Sequence, residues 1–530
     1  MRASGILMPV FSLPGPFGIG TLGSEATAFV DFLAEAKQTY WQILPIGPTG
    51  YGDSPYQSFS AFAGNPYFID FRLLAADGYL TAEEIPAAQP VSTVDYGALY
   101  NQRPVLLKKA ADRLLAAPSP AYEAFCTAQS FWLEDYALFM AVKAEQGQAG
   151  LADWPDALRC REPEVIAAAK VRLADQISYH KAVQFFFYTQ WNALKAYANR
   201  KGVLLVGDIP IYVSPDSSDL WTQPELFQTD GQMHLTHVAG CPPDSFAADG
   251  QLWGNPLYRW DHHRNTGYDW WVTRISWCFR LYDVVRIDHF RGFDEYFSIP
   301  AKDKTAVNGH WEKGPGIELF QAIKARLGEK PIIAEDLGYV TDTVRRMVKE
   351  SGYPNMKVLE FAFDSRDSSG AGDYLPHNYE HNCVAYTGTH DNETILGWLS
   401  SIKPEEIQMV RAYLNRPTES KKVLASELVR TTIASVADTC IIPIQDYLGL
   451  DNSARINFPS TLGTNWRWRL IKSDLTKALA DSIRKQNIVY GRVKWEDLQE
   501  DEKPKDPEEE KETETEPKQK KDSSVKEAKD

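Results

Sequence analysis

The sequence has 530 residues, of which 44% are hydrophobic and 12% aromatic, and its formal net charge is −15. A chain of this length can bury a large core, either as several domains or as one barrel with insertions. The negative charge argues against nucleic acid or an anionic membrane surface as partner, and no run of about 18 apolar residues predicts a membrane span. Six widely spaced cysteines without a CxxC pair are typical of reduced thiols, which predicts a cytoplasmic protein.

The predicted elements alternate between strands and helices along most of the chain. Eight apolar, β-branched stretches begin near residues 5, 40, 203, 284, 331, 356, 383 and 439. Strands that alternate with helices at this count predict an α/β fold of the (β/α)8 TIM-barrel type. Residues 71–200 are rich in alanine and other helix formers, which predicts a mainly helical insertion between the second and third strands.

Two loops combine glycine, proline and aromatic residues too densely for a regular element. One spans residues 50–70, and the other spans residues 240–258 within an irregular active-site loop region at 214–275. Loops of this length are usually functional. Two interpretations of the first loop stay open: a lid over the core, or a sugar-stacking rim whose polar residues face a ligand.

The charge pattern changes at the C-terminal end of the sequence. Residues 496–530 contain many acidic and basic residues and no aromatic residue. Such a segment cannot bury enough apolar surface to offset the entropy of ordering, so a disordered tail is predicted. The catalytic barrel with its insertions is therefore expected to occupy residues 1–495.

Four carboxylates follow predicted strands at the point where each strand ends. They are Asp208, Asp288, Glu335 and Asp391. The carboxyl ends of barrel strands meet on one face, so these side chains are expected to share one mouth. Any one of them could be structural, but four like charges in one cleft would repel each other and raise each other's pKa.

Two chemistries use such a carboxylate cluster. One is catalysis by a divalent metal held by carboxylate oxygens, and the other is glycosyl transfer with a nucleophile and a proton donor. Arg286 lies two residues before Asp288, so both side chains point to the same face of the strand. A cation there keeps a nucleophile ionised but repels a metal, which favours glycosyl transfer without metal or cofactor.

Six separated motifs carry a family resemblance. They are GYGDSPYQSFSAFAGNPYFID, GDIPIYV, QLWGNPLY, VVRIDHFRGF, IIAEDLG and TGTHDNET. Over residues 4–495 the sequence resembles the 4-α-glucanotransferases of glycoside hydrolase family 77, also called amylomaltases. The resemblance implies that Asp288 is the nucleophile, that Glu335 is the general acid and later the base, and that Asp391 holds the hydroxyls of the distorted sugar.

The resemblance also implies a set of substrate contacts and a substrate class. The implied substrate-binding residues are Tyr56, Asp208, Arg286, His390, Trp253, Asp244, Phe246 and Asn255. The implied partners are α-1,4-glucans, maltooligosaccharides and glucose, as donors or acceptors. A retaining enzyme is expected to hold its two catalytic carboxyls about 5 to 5.5 Å apart. No pattern in the sequence indicates an oligomeric state.

Three functions stay open at this point, and four further residues have competing interpretations. A hydrolase and a glucan-binding scaffold are the alternatives to the transferase. His262 and His263 could be a metal pair, but adjacent histidines on a loop point apart. Cys241 is expected to be a small buried residue rather than a redox group. Asp336 is expected to cap or pair, and Asp446 could be structural or a substrate contact.

Overall fold

A computed structural model describes residues 2–88, 91–243, 248–338, 340–365 and 372–493. Two predicted substrate contacts, Asp244 and Phe246, lie outside the described residues, and so does the predicted disordered tail at 496–530. None of the helices in the described ranges has the length and apolarity that crossing a bilayer requires.

The strands of the described chain fall into a barrel and a small sheet. In chain order they are β1 Ala3–Leu7, β2 Tyr40–Gln42, β3 Leu204–Pro210, β4 His237–Cys241, β5 Gln251–Pro256, β6 Val284–Asp288, β7 Glu295–Pro300, β8 His310–Lys313, β9 Ile332–Ala334, β10 Asn355–Val358, β11 Cys383–Tyr386 and β12 Thr439–Pro443.

Eight of these strands close into a parallel barrel in the order β1-β12-β11-β10-β9-β6-β3-β2. The predicted (β/α)8 barrel is confirmed, and each predicted strand start lies within a few residues of an observed strand. Apolar side chains fill the interior, as in other barrels of this size. They form one cluster: Leu7, Val206, Ile333, Met356, Val358, Val384, Tyr386 and Ile441.

Helices surround the barrel and fill the long interval between β2 and β3. They are α1 Ser24–Glu35, α2 Phe71–Ala76, α3 Tyr96–Ala116, α4 Pro120–Ala128, α5 Ser130–Glu145, α6 Asp156–Arg159, α7 Pro163–Arg172, α8 Ala174–Arg200, α9 Ser218–Thr222, α10 Trp260–Asn265, α11 Asp269–Leu281, α12 Ile317–Leu327, α13 Asp342–Ser351, α14 Ile395–Ser401, α15 Pro404–Leu414, α16 Lys421–Ala434, α17 Ile444–Leu448 and α18 Lys477–Val489. The helical insertion expected at 71–200 corresponds to α2–α8.

The stretch that looked irregular in sequence contains part of a second sheet. Strands β4 and β5 pair with β7 and β8 into an antiparallel sheet in the order β5-β4-β7-β8. The pairing of β4 with β5 includes a register shift between Val238 and Gly240. Short strands with an irregular register produce no clean alternation of apolar and polar residues, which is why the sequence pattern missed this sheet.

Arg492 forms hydrogen bonds with two distant segments at the amino-terminal side of the barrel. The side chain is 1% exposed. Its Nε donates to Ile433 O at 2.7 Å, and its Nη1 donates to Ala3 O at 2.8 Å. A third bond runs from Nη2 to Ser435 O at 3.3 Å. The guanidinium therefore joins β1 to the end of α16, which leads into β12.

We expect Arg492→Ala to lower the free energy of unfolding by roughly 2 to 4 kcal/mol, because three buried carbonyls lose a charged donor. Urea unfolding followed by circular dichroism measures the change. Lys485→Ala, at an exposed position of α18, is the control and should stay within about 0.5 kcal/mol of the parent. Equal stabilities of the two variants would contradict the joining role of Arg492.

Candidate active site

The four strand-end carboxylates lie on the same side of the barrel. Asp208 is within β3, Asp288 ends β6, and Glu335 follows the last residue of β9. Strand β6 lies between β3 and β9, and its register pairs Pro210 with Asp288. Asp391 follows β11 in the loop that leads to α14. The barrel therefore brings together the carboxylates that the sequence predicted.

Arg286 connects two of these carboxylates. Its Nη1 lies 2.7 Å from both carboxylate oxygens of Asp208, and its Nη2 lies 3.0 Å from Asp288 Oδ1. The side chains of Arg286 and Asp208 are 4% and 0% exposed, whereas that of Asp288 is 30% exposed. A buried charge needs such pairing, because an unpaired one costs several kcal/mol. Of the three groups, only Asp288 is open to a ligand.

Glu335 has a different environment from Asp288. Its Oε2 accepts the backbone N–H of His289 at 2.6 Å, and its Oε1 accepts the N–H of Leu337 at 2.9 Å. Burial, together with the charge of Asp288, raises the pKa of Glu335 to about 8. Burial also raises the pKa of Asp288, to about 6, although Arg286 opposes that rise. Asp288 therefore ionises first, and Glu335 keeps a proton at neutral pH.

His289 has an unusual backbone conformation between the two carboxyls. Its φ of 54° and ψ of 46° are left-handed, which few residues other than glycine adopt. The turn directs its N–H to Glu335, and the following residue, Phe290, donates its N–H to Glu335 O at 2.9 Å. Strained backbone of this kind is concentrated at functional sites. Here the strain aligns the end of β6 with the end of β9.

Tyr56 and His390 form the wall next to Asp208. The Tyr56 hydroxyl donates to Asp208 Oδ2 at 2.8 Å and lies 2.8 Å from His390 Nε2. Because the hydroxyl has one proton, His390 donates to it from Nε2. The two rings stack at 5.2 Å with an interplanar angle of 17°, and Trp466 lies 6.0 Å from each. The loop at 50–70 thus reaches the mouth of the barrel.

Comparison with known proteins identifies the family. A family model described as 4-alpha-glucanotransferase, glycoside hydrolase family 77, matches residues 8–474. The 4-alpha-glucanotransferase of Streptococcus pneumoniae serotype 4 is 46% identical over 499 residues, covering 93% of this chain and 98% of that enzyme. The chain belongs to the 4-alpha-glucanotransferase family. The family resemblance noted in the sequence is therefore confirmed, and the family consists of glucan-transferring enzymes.

Two further comparisons agree with this assignment. The 4-alpha-glucanotransferase of Thermus thermophilus is 46% identical over 484 residues, covering 90% of this chain and 96% of that one. The amylomaltase of Streptococcus agalactiae, solved in complex with acarbose, is 44% identical with a TM-score of 0.89, and the match covers 93% of this chain and 100% of that one. The amylomaltase of Corynebacterium glutamicum shares the fold at 17% identity and a TM-score of 0.70, over 93% of this chain and 74% of that one.

Two residues of the QLWGNPLY motif occupy different positions relative to this site. Trp253 packs edge-on against His289, with ring centroids 4.8 Å apart at 88°. Asn255 is buried, donates to Val213 O at 2.8 Å and accepts from Gln57 at 3.2 Å. Trp253 thus flanks the turn after β6, whereas Asn255 joins the loop at 50–70 to the segment after β3. Whether either one contacts substrate stays a prediction.

The weaker candidates have structural surroundings. Asp336 accepts the N–H of Met356 at 3.1 Å, so it pairs as expected. Asp446 accepts the Thr387 hydroxyl at 2.5 Å and the Ile395 N–H at 2.8 Å, which makes it a structural residue. His263 is buried among aromatic rings on the helix α10, not on a loop. No cluster of three or more potential metal ligands occurs in the ranges that the structure describes.

Three residues that sequence reasoning missed reach the site from the segment after β12. Asn457 Nδ2 donates to Asp391 Oδ1 at 2.6 Å, Arg455 Nη2 donates to Asp391 O at 2.9 Å, and Trp466 flanks His390. This segment has little regular structure, and no single motif in it indicates chemistry. The only sequence signal was its position after the eighth strand, where barrel loops enter the mouth.

Glu360 is a fifth strand-end carboxyl that the sequence analysis did not select. It follows β10, its N–H donates to Thr387 O at 3.2 Å, and its Oε1 has no hydrogen-bond partner among the described residues. Burial, with the charges of Asp446 and Glu393, raises its pKa well above the ordinary value. Burial therefore favours the protonated form of this carboxyl in the folded protein.

We expect Glu360→Gln to become progressively more stable than the parent as pH rises. In the unfolded chain Glu360 ionises near its ordinary pKa of 4.5, whereas the folded protein retains the proton, so stability falls as pH rises above 4.5. Glutamine does not ionise, and the difference in unfolding free energy should grow by more than about 1 kcal/mol between pH 5 and pH 8. Urea unfolding at three pH values measures it; a difference independent of pH would contradict the expectation.

Proposed function

We propose that the chain moves maltooligosaccharyl units from one α-1,4-glucan to the 4-hydroxyl of another glucan or of glucose, through a covalent intermediate on Asp288. The observation that carries this proposal is the pair at the ends of neighbouring strands. Asp288 is paired with Arg286 and partly exposed, whereas Glu335 is buried and its pKa is raised to about 8. An ionised carboxylate beside a protonated carboxyl is what a retaining glycosyl transfer needs.

In the first step Asp288 attacks the anomeric carbon of the donor sugar. A bond forms between a carboxylate oxygen and C1, and the bond from C1 to the glycosidic oxygen breaks. Glu335 gives its proton to that oxygen, so the leaving glucan departs with a free 4-hydroxyl. The guanidinium of Arg286, at 3.0 Å, keeps Asp288 ionised for the attack.

In the second step a glucan hydroxyl takes the place of the departed chain. Glu335, now ionised, accepts the proton of the acceptor 4-hydroxyl. The oxygen of that hydroxyl attacks C1, and the bond between C1 and Asp288 breaks. Two inversions leave the new bond in the α configuration. In this proposal Asp391 and His390 hold hydroxyls of the distorted sugar, and Asp391 adds negative charge near the oxocarbenium-like transition state.

Transfer instead of hydrolysis depends on the acceptor side, since water can attack the same intermediate. Trp253 and Tyr212 both approach His289, with ring centroids at 4.8 and 6.5 Å. An aromatic wall at this position suits a sugar face and keeps water from the acceptor position. The hydrolase alternative lacks a comparable supporting observation. The intact carboxylate pair argues against a scaffold without turnover.

The proposed substrates are α-1,4-glucans and maltooligosaccharides, with glucose as a further acceptor. The amylomaltase of Streptococcus agalactiae, which is 44% identical, was solved in complex with acarbose, and this supports a carbohydrate ligand for this chain. We also propose a cytoplasmic location, which the six free cysteines support, because paired cysteines are typical of oxidising compartments.

We expect the pH dependence of kcat/KM for maltotriose to be bell-shaped. Asp288 must be ionised, so the rate should rise through about pH 6, and Glu335 must be protonated, so the rate should fall above about pH 8. Initial rates of glucose release from pH 4.5 to 9.5 measure the profile. A rate that keeps increasing beyond pH 9 would contradict the assignment of Glu335 as the acid.

We expect the parent enzyme to convert maltotriose into glucose and longer oligosaccharides, which chromatography by chain length resolves. Asp288→Asn keeps the shape of the side chain but removes the nucleophile, and it should lower the rate by roughly a thousandfold or more. Circular dichroism checks that the variant is folded. Glucose and maltose without longer products would instead support a hydrolase, and full activity of Asp288→Asn would refute the proposed intermediate.

A further inference from the structure

A short segment after β12 holds the loop that contains Asp391. We call Arg455–Asn457 the bracket. Three hydrogen bonds connect it to residues 390 and 391: Asn457 Nδ2 to Asp391 Oδ1 at 2.6 Å, Asn457 N to His390 O at 3.1 Å, and Arg455 Nη2 to Asp391 O at 2.9 Å. Side chain and main chain of Asp391 are therefore both fixed from the same side.

The bracket is itself rigid. Arg455 Nε donates to Asn457 O at 2.8 Å, and the guanidinium lies 4.3 Å from the ring centroid of Phe458. The N–H of Trp466 donates to Ile456 O at 2.8 Å, which closes the segment into a loop. Asn457 is 9% exposed, so water competes little for its amide. The donor to Asp391 thus has little freedom to move away.

The loop that contains Asp391 has few restraints of its own. It belongs to no helix or strand, and its local bonds are those of a turn, from Thr389 N–H to Asn392 Oδ1 at 2.9 Å and from Asp391 N–H to the Thr389 hydroxyl at 3.3 Å. The side chain of Asp391 is 47% exposed. Without the bracket, this carboxylate could turn towards solvent.

The two carboxylate oxygens of Asp391 have different surroundings: Oδ1 is hydrogen-bonded within the protein, and Oδ2 is accessible to a ligand. Oδ1 accepts from Asn457 and lies 3.4 Å from His390 Nε2. Oδ2 has no protein partner within the ranges that the structure describes. A carboxylate fixed through one oxygen presents the other in a defined direction, as transition-state stabilisation by preorganised groups demands.

We infer that Asn457, supported by Arg455, is a positioning residue that aims Asp391 at the reacting sugar. This inference rests on the proposed role of Asp391 in glycosyl transfer. Asn457 acts through Asp391 and does not itself contact the sugar. Its loss should weaken an interaction that is strongest in the transition state, so kcat should fall while KM changes little.

The test compares five variants by kcat and KM for maltotriose and by thermal unfolding. Asn457→Ala should lower kcat tenfold to about a hundredfold, the usual cost of a misplaced catalytic group, with KM within about threefold of the parent. Asn457→Asp keeps the size of the side chain but replaces the donor with a repelling oxygen, so its kcat should be no higher than that of Asn457→Ala. A side chain needed only for packing would instead be rescued by aspartate, and that result would overturn the inference.

Three further variants, Asn382→Ala, Arg455→Lys and Asp391→Asn, separate failure of the inference from failure of the proposed role of Asp391. Asn382→Ala removes an exposed asparagine whose amide donates to Gly352 O at 3.2 Å, just before β11 and away from the mouth, and should leave kcat unchanged. Arg455→Lys, which loses the fork that supports Asn457, should lower kcat in the same direction even if Asn457→Ala does not fold. If Asp391→Asn is inactive while Asn457→Ala and Arg455→Lys are fully active, the positioning role of Asn457 is refuted and the proposed role of Asp391 is not. A fully active Asp391→Asn refutes both the proposed role of Asp391 and this inference.

Discussion

Arg286 lies between two carboxylates inside a barrel lined by apolar side chains, and its charge makes the rest of the site possible. Asp208 is fully buried, and without Arg286 Nη1 at 2.7 Å its charge would have only the neutral hydroxyl of Tyr56 among the contacts described above. Asp288 uses the remaining donor, so its ionised form is stabilised beside Glu335. Removing the cation would leave two neighbouring like charges, Asp208 fully buried and Asp288 partly exposed, and at least one would take up a proton. The guanidinium lowers the pKa of Asp288 against the effect of burial, whereas burial and the charge of Asp288 raise the pKa of Glu335.

The register of the barrel strands brings the carboxylates of the site together, and side chains from outside the barrel complete the site. Adjacent strands place Asp208, Asp288 and Glu335 at neighbouring ends, where backbone positions vary little. Tyr56 and Asn457 come from two loops and Trp253 from strand β5 of the small sheet, and all three lie at the same mouth. A rigid sheet with variable loops is how barrels combine stability with specific chemistry. In this chain the loops also hold each other, since Asn255 joins two of them.

The barrel and the carboxylates were predictable because their signals are local. A run such as VVRID predicts both a buried strand and the carboxylate at its end. The contacts of Asn457 and Trp466 were not predictable, because they join positions more than 60 residues apart and have no pattern of their own. The small sheet escaped for a related reason: its strands β4 and β7 pair across the whole of β5 and β6. Asp446 follows a barrel strand as Asp391 does, and only its filled hydrogen bonds indicate a structural role.

The central claim is that Asp288 carries the sugar between donor and acceptor. Mass spectrometry of Glu335→Ala after incubation with α-maltotriosyl fluoride tests it most directly. Fluoride is a good leaving group, so the first step does not need Glu335 as acid. The second step is slowed because Glu335 is missing as base, and the covalent intermediate should therefore accumulate. We expect a maltotriosyl adduct on the peptide that contains Asp288. Release of fluoride with an unmodified protein, or an adduct on another carboxylate, would contradict the account.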